Sequence, residues 1–531
     1  SMHLLWGGTP ENGVTAQEDT AVETIPFEGT TITKGGNYEI LEGKYAGNIT
    51  VNLTDTSEPV NIAIKGGITY NGTQQVMFIN VKNADEVTIT NDGHEVNCKP
   101  SDAHFLDVSS GNVTVNGGTY VTATRNVVMA YAGTTTLNDM TTETSGYAVT
   151  SSGSAKVVVN RGTHTHSNTN QDRANFWIFN GGHMTLNDVT AISEEAVILN
   201  STGTVDVNGG DFKTTGTKSC FVNNSANLTI NKGSTTEGNF VSEGASCINN
   251  SWGQVRINGG SFTTDAGIAV KNRGGLRLNG GTVEAPNGGT AIDISGESGD
   301  VQLNGGTIRN SVTGVRVADA GDSEIDLKAV TFENNTDDIS LGNDQQINIK
   351  KSFVGTAKIR VDDPARGRQI TTDNEDSPYQ KELNLISRNE GYVIGYKKVT
   401  DGAEFRYLAP ANGNIVNAEN AKAPADLGAG EQELDTATVV PKGTTVTVTA
   451  NIPEGAEFLG WSAVCDDHSV LKLGDDQTEH FEMPGCNVTV EALYQGGNVD
   501  PVNPGGGSSS DVVTGIAAVA LTGAAVWSIY E

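Results

Sequence analysis

One phrase recurs along this chain with small changes, and it narrows the fold more than any other feature. VRINGGSF (255–262) is a clean copy; VTVNGGTY (113–120), VDVNGGDF (205–212), LRLNGGTV (276–283) and VQLNGGTI (301–308) are others. Taking the Asn, or whatever replaces it, as origin gives Lys65, Asn91, Asn116, Asn138, Asn160, Asn187, Asn208, Asn231, Asn258, Asn279, Asn304, Lys328 and Lys350, spaced 21 to 27 residues apart. A period in that range, built from alternating residues and Gly corners, predicts a solenoid.

The register can be checked column by column, because equivalent positions of successive coils stack. One place before the origin stand Val115, Leu137, Val159, Leu186, Val207, Ile230, Ile257, Leu278 and Leu303, all aliphatic. Three places before it the residues are again mostly aliphatic, from Val113 to Val301, while the place between holds Thr114, Asp206, Arg256, Arg277 and Gln302. This is period-two alternation, with two inward columns and one outward column. Three places after the origin, a column of small hydroxyl residues includes Thr119, Thr141, Thr163, Thr190, Ser234 and Ser261, which we expect to hydrogen-bond up and down the sheet. The Gly-Gly after the origin supplies positive φ for a tight corner. FVNNS (221–225) and CINNS (247–251) read as a further strand with its own corner.

The predicted fold class is therefore all-β: a parallel β-helix of about thirteen coils, a rod of roughly 60 Å at about 4.8 Å per coil, followed by a small β domain. The repeats resemble the right-handed parallel β-helix superfamily, the pectate-lyase-like fold, and in particular the Asn-Gly-Gly-Thr repeats of bacterial surface proteins. The resemblance covers residues 46–356. It implies a fold rather than an activity, since one scaffold hosts many functions.

In chain order, we read residues 1–45 as an N-terminal lead and cap, 46–356 as the β-helix, 357–410 as a C-terminal β cap and 411–436 as a linker. Residues 437–494 form a self-contained β unit in which TVTVTA, then EGAEFLGW, then FEMPGCNVTVEALY resemble the internalin-type B repeat of bacterial surface proteins. That resemblance implies a spacer or a weak adhesive module. Residues 495–511 are a Gly-, Pro- and Ser-rich tether, and 512–531 an apolar segment whose uncharged stretch 512–530 is long enough to cross a bilayer. No LPxTG precedes that segment and no secretory signal opens the chain, so the expected anchor to membrane or cell envelope rests on the segment itself.

The formal net charge of −31 argues against a nucleic-acid partner. Cys220 and Cys247 each lie eleven residues before an origin and should stack in adjacent coils, either as a disulfide or as two reduced thiols in a core ladder. Cys465 and Cys486 are candidates for a second disulfide inside the small domain.

The strongest outward constellation is again set by the register. Arg256 and Arg277 stand two places before adjacent origins, and Trp252 and Arg273 six places before the same two. An indole beside guanidinium groups can stack a sugar ring and pair its carboxylate or sulfate; the alternative is a stack that covers a corner. A second candidate is the long return after Asn160, where alternation in Phe176-Trp-Ile-Phe179 points Phe176 and Ile178 one way and Trp177 and Phe179 the other; at least one pair is core, and an exposed Trp177, flanked by Arg173 and His183, would offer a sugar platform. His164 reads as a packed ladder residue, and His164 with His166 lacks a third metal ligand. For catalysis, Lys271, Arg256 and Arg277 offer a base without a carboxylate partner, and no paired-Asp motif is present. The expectation is a non-enzymatic, extracellular bacterial surface protein that needs no cofactor or metal and binds host or environmental glycans or glycoproteins. The alternative is a polysaccharide lyase or glycoside hydrolase on the same scaffold.

Overall fold

The structure is a computed structural model that describes residues 21–167, 173–296, 299–321, 323–350, 352–372, 374–378, 383–398, 403–434 and 438–497. The tether and the apolar C-terminal segment lie outside these residues, apart from residues 495–497. The described chain has no helix and is 55% strand, forming a parallel β-solenoid of about 14 turns followed by small β sheets. It divides into two compact units, residues 1–340 and 341–531.

Within the first unit each coil gives one strand to each of three parallel sheets. In the coil of the cleanest repeat these are Gln254–Ile257, Ser261–Thr264 and Ile268–Asn272. All three pair in register with the next coil, through Val255 to Leu276, Ser261 to Thr282 and Val270 to Ile292. The expected alternation holds: Val255 and Ile257 are buried, while Gln254 and Arg256 are exposed. Coils begin earlier than residue 46, because Val22–Thr24 already pairs in parallel with Gly36–Ile40. The imperfect spacing there disguises strands that stack like the rest. The third sheet is carried by strands as short as Phe221–Asn223 and Ile248–Asn250, where the sequence placed a further strand and corner. Inside, the rings of Phe212, Phe221, Phe240 and Phe262 pack edge and face with centroids 4.8 to 6.5 Å apart.

The corners are held by amide ladders. Each origin Asn from Asn138 to Asn304 donates Nδ2 to Oδ1 of the Asn one coil earlier, at 2.7 to 3.0 Å. After several origins the next residue turns in the left-handed region, as Gly117 and Gly209 do, with Asp139, Arg161 and Asp188 held there at φ 54, 58 and 49°; after Asn258, Asn279 and Asn304 the second glycine, Gly260, Gly281 or Gly306, does so instead. A second ladder runs inside the solenoid through Asn200, Asn223, Asn250 and Asn272, again at 2.7 to 2.9 Å. Being buried, it is the costlier of the two to break.

Two expectations about hydroxyl groups change. Thr119, Thr141, Thr163 and Thr190 stack in register but face outward, and no hydrogen bond joins them among the described residues. The hydroxyl ladder lies three residues later and faces inward: Thr122 to Thr144 at 2.6 Å, His166 Nδ1 to Ser193 at 3.1 Å, and Thr214 to Ser242 at 3.0 Å. It also turns the chain, for the N–H two residues on is donated to Oγ of Thr144, Ser193 and Thr264. In the long coil after Asn231 the outward position belongs to Asn239 rather than Ser234, because Asn239 pairs with Asp211 and Ser261. The extra residues sit directly after the corner, where the Asp188 carboxylate accepts the backbone N–H groups of Ser234, Thr235 and Thr236.

In the second unit, Tyr392–Lys398 and Ala403–Pro410 form an antiparallel pair. The small domain is larger than residues 437–494. The stretch read as a linker is sheet: Asn414–Glu419 pairs with Val488–Gln495, and Ala421–Lys422 and Ala425–Asp426 pair with Thr445–Ala450. Its Ala-rich composition looked like linker, but Ala423, Ala425 and Leu427 are small enough to fill the core beside Val446 and Val448. Cys465 and Cys486 are disulfide-bonded within this domain.

Candidate functional site: a cationic ridge beside an open indole

Arg256 and Arg277 occupy the outward column of the first sheet. The column runs in register through Asp206, Thr229, Arg256, Arg277, Gln302 and Asp326. Neutral residues therefore stand directly on either side of the two arginines, and neither arginine makes an ion pair among the described residues. Like charges facing each other on paired strands are destabilising, and the in-register neighbours Thr229 and Gln302 carry no charge to offset them. In a chain of net charge −31 this juxtaposition is unusual.

Trp252 and Arg273 stand at the corner leading into that sheet. Trp252 is 53% exposed, and the Arg273 guanidinium carbon lies 5.4 Å from its ring centroid. The corner is fixed from within, where buried Asn250 donates Nδ2 towards Gly253 O at 3.1 Å, Gly275 O at 3.1 Å and Asn272 Oδ1 at 2.7 Å. Gly253 leaves no room for a side chain, since a Cβ would collide with Ala226 O and Asn223 Nδ2. The backbone beneath the indole is thus rigid. One face of the ring carries a guanidinium, and the exposure of the residue leaves the other available for a flat apolar ligand surface.

Lys271 projects from the third-sheet strand that leads through the corner at Arg273 into the strand of Arg277, and is exposed. Asp293, half-buried, is its in-register neighbour on the next coil, followed by Arg316. Burial raises the Asp293 carboxyl above its ordinary range, partly countered by Lys271 and Arg316. Arg316 donates to Ser340 Oγ at 2.9 Å. Lys271 therefore has a carboxylate beside it, which the sequence pattern does not mark because the column through Lys271 in the third sheet repeats no residue type.

Trp177 is built differently. Phe176 and Ile178 are the inward pair, fully buried, and Trp177 and Phe179 face outward. The indole lies between Phe179, with centroids 4.0 Å apart and planes 16° apart, and Tyr147, at 4.9 Å and 23°. The Arg173 guanidinium lies over the Tyr147 ring, 5.2 Å from its centroid, and Trp177 Nε1 donates to Ser201 Oγ at 3.2 Å. The stack packs against Ala174, Ala196, Leu199 and Val222. As a platform for sugar this tryptophan is closed, since its faces are already covered. Tyr147, which the sequence reading did not single out, closes it.

The remaining candidates are structural. His164 and His166 both point inward and are buried, bonded through Nδ1 to Thr142 Oγ1 at 2.7 Å and Ser193 Oγ at 3.1 Å. Burial holds both imidazoles down to about 4, with Arg173 adding to the effect at His166. Cys220 and Cys247 are free thiols, which corrects the disulfide alternative. Their side chains hang side by side from paired strands, and each is turned to a backbone carbonyl at 3.1 Å, Cys220 to Val241 and Cys247 to Thr263. Burial pushes the Cys220 thiol up to about 12, so it stays protonated. Away from the ridge, His104 Nδ1 and Asp107 Oδ1 form a close, largely buried pair at 2.6 Å.

By fold, the chain is a parallel β-solenoid joined to a small disulfide-linked β domain. Residues 426–498 match the family described as divergent InlB B-repeat domain; the match begins after the strands Asn414–Glu419 and Ala421–Lys422 that pair with the same sheets. No curated protein and no solved structure matches the chain. No helix among the described residues is long and apolar enough to cross a membrane.

Proposed function

We propose that the chain is an extracellular bacterial surface protein whose solenoid binds acidic glycans at the Trp252 ridge. The observation that carries this is the in-register pair Arg256 and Arg277, exposed and without an ion pair among the described residues, on the coils that also present Trp252 and Arg273. The B-repeat-like domain supports a surface setting, as do the Asn-Gly-Gly repeats. The apolar residues 512–530 would hold the chain to a membrane or envelope. The test is a glycan array probed with the full chain: binding to uronate- or sulfate-bearing glycans that Trp252→Ala abolishes is expected, and indifference to glycan charge would refute the site.

The lyase or hydrolase alternative gains one specific support, the raised carboxyl of Asp293 in register with Lys271. Bound glycans are therefore to be followed for new reducing ends and for absorbance from unsaturated sugars. Turnover that Asp293→Asn removes would replace the binding reading with an enzymatic one.

A further inference from the structure

The shape of the charged surface says more than its sign. Lys271, Arg273 and Arg277 lie on one continuous run of chain, at spacings of two and four residues, which passes from the third sheet over the corner stacked on that of Trp252 and onto the first. In extended chain this path is roughly 20 Å long. Along the stack the cations reach only to Arg256, one coil or about 5 Å away. Carboxylates lie beyond this band along the stack, with Asp293 directly after Lys271 and Asp206 two coils before Arg256, while Asp326, two coils after Arg277, is buried. The cations therefore form a transverse stripe, long around the coil and narrow along the stack.

A charged monosaccharide is recognised by donors that converge on it in a concave site. Here the cations are exposed and diverge around a ridge, so no single sugar can touch Lys271 and Arg277 together. We infer that the ridge takes a linear polyanionic polysaccharide, carboxylated or sulfated, which crosses the coils at the Trp252 corner and contacts Lys271, Arg273 and the arginine pair in succession. This rests on the acidic-glycan reading and adds the ligand's length and direction. Trp252 contributes a surface for one sugar face, and the flanking carboxylates disfavour a path along the stack.

The test is direct binding of the full chain to uronate and sulfated oligosaccharides in a length series from monosaccharide to polymer, at fixed ionic strength. Affinity is expected to rise at least about tenfold between disaccharide and a chain long enough to span the stripe, because each added contact is made within an already bound ligand. Lys271→Gln should weaken the long ligand several-fold and leave the disaccharide unchanged, while Arg316→Gln, beyond Asp293, should change neither. Comparing the two series decides between carboxylate and sulfate. A monosaccharide that binds as tightly as the polymer would overturn the length and direction and leave the glycan reading standing. Failure of every acidic glycan would overturn both. Equal binding of a single-stranded nucleic acid would show that charge alone is read, and would overturn the polysaccharide assignment.

Discussion

Trp177 and Trp252 both project outward from the solenoid, one from the third sheet and one from the corner that follows it, and their surroundings make them different objects. Trp177 lies between Tyr147 and Phe179, with Arg173 over the Tyr147 ring, so its rings serve the packing of neighbouring coils. Trp252 meets one guanidinium and stays 53% exposed. In a stacked fold an aromatic residue is closed or open according to what its own strand places two residues on and what the previous coil places beside it. If that is right, the two regions should respond oppositely to perturbation: the Trp177 region in stability, the Trp252 region in binding.

The largest contrast is expected with acid. His164 and His166 lie under the Trp177 stack, where the His164 ring meets Phe176 at 5.2 Å. Burial holds each imidazole down to about 4, against an ordinary 6.5 when unfolded. Between those values the unfolded chain takes up protons that the folded chain refuses. Stability is then full above about pH 6.5 and falls towards pH 4, by about 3 kcal/mol per histidine at most. Thermal unfolding across that range should show the loss, and His164→Thr with His166→Thr, which extend the Thr142 and Thr144 columns, should flatten it.

Next is the corner beneath the open indole. Asn250→Ala removes the buried amide that bonds to the Gly253 and Gly275 carbonyls and joins Asn223 to Asn272 in the ladder. It should cost about 3 kcal/mol and weaken glycan binding, whereas Asn258→Ala in the exposed ladder should cost about 1 kcal/mol; chemical denaturation distinguishes them. Trp177→Ala should lower stability by roughly 2 kcal/mol, less than for a fully buried ring, with little change in binding. The smallest effect has the opposite sign. Arg256→Gln removes a like-charge neighbour of Arg277 and should raise stability by up to about 0.5 kcal/mol while it weakens acidic ligands.

What was legible in the sequence follows from the same contrast. Inward columns such as Val255 and Ile257 repeat because every coil must fill the same interior, so alternation alone locates them. The pairing of Arg256 with Arg277 follows directly from register. Register does not tell whether a ring is covered, since Tyr147 reaches Trp177 across a coil of irregular length. Nor does it place an insertion within its coil, which is why Ser234 was assigned the position of Asn239. Cys220 and Cys247 were placed side by side correctly, but in-register neighbours run parallel and need not converge on a bond. The strands of 414–432 escaped notice because alanine fills a narrow core without marking it. Asp293 was missed because the third sheet, with its short Asn-rich strands, carries a weaker pattern than the first.

The most direct test of the account measures binding of a long acidic polysaccharide and thermal unfolding on the same preparations of wild type, Trp252→Ala and Trp177→Ala. The account expects Trp252→Ala to lose most of the affinity at unchanged melting temperature, and Trp177→Ala to melt earlier while binding as the wild type does. Retained affinity in Trp252→Ala, or its loss in Trp177→Ala with the fold intact, would contradict it.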